Sequence, residues 1–69
     1  MTTITHPISV LRLPEVQSKT GLARSTIYKM MSEGKFPIPI KITSKAVAWP
    51  SMEIDDWITL KMDNRKSLH

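Results

Sequence analysis

The side chains that could do covalent chemistry are few and poorly placed for it. The two histidines of this 69-residue chain, His6 and His69, lie near its ends, where no neighbouring structure holds an imidazole in a preorganised geometry. Neither has a second His or a Cys at a metal-ligand spacing. The chain has no cysteine at all, which removes thiolate metal sites and disulfides together. Glu53, Asp55 and Asp56 cluster at what reads as a helix start, where carboxylates answer the positive end of the helix dipole. With Gly21 and Gly34 the only glycines, no glycine-rich phosphate loop can precede Lys35, Lys41 or Lys45. These patterns point away from an enzyme and away from any metal or organic cofactor.

A different chemistry assembles around Arg24, Ser25, Thr26, Tyr28 and Lys29. Arg and Lys side chains donate to guanine O6 and N7, and a serine hydroxyl bonds either a base edge or a phosphate. Ser25, Thr26 and the unsatisfied N–H groups of a helix start suit a phosphate oxygen. Lys41 and Lys45 supply two further cations downstream. Ten Lys and Arg against six Asp and Glu give a net charge of +4. The pI of about 9.8 lies in the range of nucleic-acid binders. The balance is uneven: residues 1–50 carry seven basic and two acidic groups, whereas residues 51–69 carry three and four. One side facing a polyanion fits this distribution, and so does ordinary solubilising charge.

These groups need elements to position them. Sixty-nine residues make one domain at most, and 41% hydrophobic with 23% charged residues is a globular composition. No apolar run approaches the ~20 residues that cross a bilayer, and the N-terminus has no basic start or apolar stretch of a secretory signal. The expectation is a small, soluble, cytoplasmic domain over residues 10–63, with a loose leader (1–9) and a frayed tail (64–69).

Val10–Leu13 reads as a short apolar stretch able to make a bridge of strand. Pro14 then suits the first turn of a helix that runs through Glu15–Lys19 and stops at Thr20-Gly21, with Gly21 left-handed. A second helix follows from Arg24 to Glu33, closed by Gly34. At about 100° per residue, Ala23, Ile27, Met30 and Met31 share its inner side, and Ser25, Lys29 and Ser32, flanked by Tyr28, share the outer one. Helix, tight turn, helix is the helix-turn-helix pattern. Pro37 and Pro39 forbid a helix. Ile40–Ile42 and Val47–Trp49 then alternate as a hairpin with a four-residue connection, Thr43–Ala46. Pairing Ile42 with Val47 and Ile40 with Trp49 puts all four apolar side chains on one face. Ser51 is the expected N-cap of a last helix whose buried stripe is Ile54, Trp57, Ile58 and Met62. Phe36, Trp49 and Trp57 would anchor a small core. The fold class expected is α+β, mostly helical: a small winged helix-turn-helix with three helices and a two-stranded hairpin wing.

In this order the segments Leu11–Val16, Thr20–Tyr28, Glu33–Pro37 and Val47–Trp49 resemble the AlpA-like prophage regulators. These are small proteins related to lambda-type excisionases and to the MerR-type winged-helix domain. The resemblance covers residues 10–60. It implies double-stranded DNA as the partner, read by Arg24, Ser25, Thr26, Tyr28 and Lys29 on the recognition helix, with Lys41 and Lys45 on the wing. It also implies activation of an integrase gene, or control of excision beside an integrase. One departure is Ala23, where relatives often carry a serine cap; the loss is worth about 1 kcal/mol, with Thr20 or Ser25 compensating or the helix start fraying. A single module with about four or five phosphate contacts binds nonspecific DNA at roughly 10⁻⁴–10⁻⁶ M, so site selection calls for cooperative self-association on DNA or a partner. The competing reading is a protein-interaction module whose basic face docks an acidic partner. Single-stranded RNA fits less well, because Tyr28 is the only exposed aromatic platform expected.

Overall fold

The computed structural model describes residues 9–65, so His6 and His69, and most of the expected leader and tail, lie outside the described residues. Chain order is β1 (Val10–Leu11), α1 (Leu13–Thr20), α2 (Arg24–Ser32), β2 (Ile40–Thr43), β3 (Ala46–Pro50) and α3 (Ser51–Asn64). This is the expected winged helix-turn-helix, with one strand added to the wing.

Local chemistry sets the helix ends. Pro14 occupies the first turn of α1, and the Arg12 N–H donates to the Glu15 carboxylate at 2.8 Å. Gly21 ends α1 at φ 74°, its N–H donating to the Gln17 carbonyl at 2.8 Å. Three residues later α2 begins. It closes in a Schellman motif: Gly34, at φ 72°, donates to Met31 O at 3.1 Å and Lys35 N–H to Met30 O at 2.8 Å.

The sheet order is β1-β3-β2, all antiparallel. The hairpin register differs from the expected one. Ile40 faces Ala48 and Lys41 faces Val47; the register then shifts before Thr43 meets Ala46, leaving Ile42 without a partner. Ser44 and Lys45 make a two-residue turn in place of a four-residue connection. On the other edge of β3, β1 pairs Leu11 with Trp49, whose indole is in the core. Ile40, Ile42 and Val47 are exposed instead of sharing a buried face.

Val16 of α1, Ile27 of α2, Phe36, Trp49 of β3 and Ile54 of α3 form the buried cluster. Leu11, Leu13, Leu22, Met30 and Met31 pack around it, as do Trp57 and Ile58. Both tryptophans and Phe36 therefore anchor the core, with Trp57 at its margin. Three expectations fail at the edges. Ala23 is exposed because it is the N-cap of α2 and not part of its inner stripe. Met62 remains 51% exposed, one turn beyond the last residue of α3 that packs against the core. Ser51 is the first residue of α3, not its cap. Pro50 holds the cap position, and Ser51 bonds Ser9 through both hydroxyls (2.8 Å) and its own N–H (2.9 Å).

Candidate nucleic-acid interface

Burying Ile27 fixes the orientation of α2, since Met30 and Met31 flank it on the inner side. The opposite side must then face solvent. Arg24, Ser25, Thr26, Tyr28 and Lys29 are all exposed, and neither the hairpin nor α3 covers them. The Arg24 guanidinium lies 5.7 Å from the centroid of the Tyr28 ring, one turn along the helix. A guanidinium held over an aromatic face still has its N–H groups available for a bidentate acceptor.

The start of α2 is open. Ala23 adopts the extended backbone of an N-cap but has no oxygen to offer, and the first helical bond runs from Ile27 N–H to Ala23 O at 3.0 Å. The N–H groups of Arg24, Ser25 and Thr26 have no acceptor among the described residues. Neither Thr20 nor Ser25 makes good the missing cap. The Thr20 hydroxyl donates back to Val16 O at 2.8 Å and accepts the Leu22 N–H at 3.3 Å.

In the hairpin, Lys41 stands opposite Val47 on the edge strand β2, and Lys45 occupies the turn, where its N–H donates to Thr43 Oγ1 at 3.1 Å. Among the described residues the ion pairs are Lys19–Asp55 at 2.6 Å and Lys35–Glu33 at 3.9 Å. Arg24, Lys29, Lys41 and Lys45 are thus exposed cations with no carboxylate bound to them. All five α2 residues are exposed, but Arg24 and Thr26, two positions apart, lie on opposite flanks of the helix; among the described residues no hydrogen bond or ion pair joins the five to Lys41 or Lys45.

The family model of the prophage CP4-57 regulatory protein (AlpA) matches residues 9–62, which span every strand and all but the last two residues of α3. The chain belongs to the AlpA family. This is a family of regulatory proteins, not of enzymes. Relatives include ORF88 of Enterobacteria phage P4, 41% identical over 56 residues, which cover 81% of this chain and 64% of the phage protein. The chain therefore spans less than two thirds of that relative. The DNA-binding transcriptional activator AlpA of Escherichia coli (strain K12) is 38% identical over 58 residues, covering 75% of this chain and 83% of that protein.

Two features of this AlpA-family chain escape a reading of motifs. The Arg24–Tyr28 stack was visible in principle, as a cation and an aromatic at i and i+4. The indole N–H of Trp49 donates to Pro37 O and that of Trp57 to Lys35 O, both at 2.9 Å, so two elements distant in sequence hold the segment leaving α2. No local signal announces those bonds.

Proposed function

We propose that this chain is a sequence-specific, duplex-DNA-binding regulator of a prophage or genomic island. In this reading α2 enters a major groove. Arg24, Ser25, Tyr28 and Lys29 meet base edges, and Thr26 with the open N–H groups of α2 binds a phosphate. Lys41 and Lys45 touch the neighbouring backbone or minor groove. Residues 10–63 are the working domain, and its action belongs in the cytoplasm, where that DNA lies. The observation that carries the reading is the exposed outer face of α2, with two unpaired cations and an uncapped start on one surface. The DNA-binding activity stated for the E. coli relative supports it.

The finer role is activation of an integrase gene, control of excision beside an integrase, or both; each needs the same groove contacts. With so few phosphate contacts, copies bind cooperatively to repeated sites. The deciding measurement is duplex affinity against salt. The expected log–log slope is about −0.9 per phosphate neutralised, and the Ser25→Ala/Lys29→Ala pair should weaken binding and flatten that slope. Duplex binding left intact by this double change would instead favour a surface that docks an acidic protein.

A further inference from the structure

Away from α2 and the hairpin, α1 and α3 leave an open groove of about 390 Å³ whose apolar lining is Trp57, Ile58 and Met62 and whose charged lining is Lys19, Lys61 and Arg65. No carboxylate lines it, although α3 carries Glu53, Asp55, Asp56 and Asp63. The ion pair with Asp55 offsets the charge of Lys19. The Lys61 ammonium lies 5.2 Å from the centroid of the Trp57 ring, and neither Lys61 nor Arg65 has a carboxylate partner among the described residues. The groove therefore keeps a net positive charge beside a half-exposed methionine. Water gains nothing from Met62, Ile58 and the edge of Trp57, so an occupant that brings apolar groups would be favoured.

We propose that this groove docks an acidic amphipathic helix of a protein partner. Lys61 of α3 and its C-cap Arg65 are four residues apart, so carboxylates one turn apart on an incoming helix can meet both. Leucines at i, i+3, i+4 and i+7 of that helix would cover the apolar lining. A phosphate backbone answers the cations but leaves Met62 and Ile58 uncovered, so charge and apolar surface together favour a peptide over a second nucleic acid. The chain's own residues 66–69 begin with Lys66 and match the groove poorly in charge. None of the lining residues lies on α2 or the hairpin, so this surface is separate from the proposed duplex-reading face.

The test is an NMR titration of the ¹⁵N-labelled full chain with a synthetic peptide bearing leucine at those four positions and glutamate beside them. A control peptide replaces each leucine with serine at the same charge, and a short duplex serves as the third ligand. The leucine peptide should saturably shift the Trp57 indole and the Ile58 and Met62 amides, with the serine peptide at least about tenfold weaker. Lys61→Glu and Met62→Asp should each cost about tenfold in peptide affinity, the size of one lost anchor. Both side chains are exposed, so the fold should hold, and duplex affinity should change much less than peptide affinity. Equal binding of the two peptides, no saturable shift, or the duplex moving these same signals would overturn the proposal. So would shifts that follow protein concentration without peptide, which would mark a contact between copies.

Discussion

The open start of α2 yields the sharpest prediction, because one position should move stability and DNA affinity in opposite directions. Ala23 already has the N-cap backbone, φ −74° and ψ 156°, and its side chain is exposed, so a new oxygen there meets no steric cost. Ala23→Ser places a hydroxyl within reach of the Ser25 or Thr26 N–H. Such a cap contributes about 1 kcal/mol, and in a domain of this size that raises Tm by roughly 4–8 °C. Ala23→Asp should match or exceed this gain, since a carboxylate also interacts with the helix dipole by about 0.3–1 kcal/mol. On DNA the two variants part. If the open N–H groups hold a phosphate, the aspartate sets two negative charges a few ångströms apart. That repulsion is worth about 1–4 kcal/mol across the range from bulk water to a protein surface, so duplex affinity should fall by about fivefold or more. The neutral serine should stay within about threefold of the parent chain. Thermal melts by circular dichroism and fluorescence anisotropy on one duplex at fixed salt measure both effects. An Ala23→Ser variant with unchanged Tm would show that α2 is already capped in solution. An Ala23→Asp variant that binds duplex as tightly as the parent would remove the phosphate from the helix start.

Ile27→Ala empties the one fully buried position of α2 and should cost about 2–5 kcal/mol. For so small a core this is most of the stability, and denaturant titration should show the midpoint falling to near zero, whereas a midpoint barely moved would mean the core closes without α2. Tyr28→Ala removes the ring beneath Arg24 but little packing, so Tm should hold while duplex affinity drops about two- to fivefold, the value of an exposed cation–π contact. Tyr28→Phe should restore that loss; a phenylalanine variant as weak as the alanine one would assign the effect to the phenol oxygen.

Where local chemistry decides structure, the residues announced it. Pro14, Gly21 and Gly34 mark the ends of α1 and α2 by backbone constraints that act over a single turn. The outer face of α2 follows from helical periodicity alone once Ile27 is placed inside. The hairpin shows the opposite. Alternation there says only that Ile40, Ile42, Val47 and Trp49 are apolar. Which of them reach the core is settled by β1 pairing with β3 from the other edge and by the slip at Ile42, both non-local. Ser51 illustrates the same limit. As a cap it would bond within its own helix, but it bonds Ser9, 42 residues away. The groove of Lys19, Lys61 and Arg65 was equally invisible, because its cations come from α1 and from the end of α3, which only the tertiary fold brings together.

The two indole bonds give α3 a part in the candidate interface that it never touches. Lys35–Pro39 joins α2 to the hairpin, and its prolines keep it from forming a helix of its own. Trp49 from β3 and Trp57 from α3 each donate to a carbonyl of this segment, and Phe36 sits between those carbonyls with its ring edge-on to Trp57 at 4.8 Å. Each bond contributes only about 1 kcal/mol, a small sum even beside a core of five buried side chains. Their larger effect is geometric. With Lys35 and Pro37 tied, the path of the chain from α2 toward the hairpin is constrained by the two tryptophans. If α2 and the hairpin bind one duplex together, as proposed, such a constraint helps, since each loose degree of freedom must be ordered again on binding. Aromatic residues with a polar handle thus serve two ends in a chain too short for a larger core: they bury area, and they constrain the link between α2 and the hairpin.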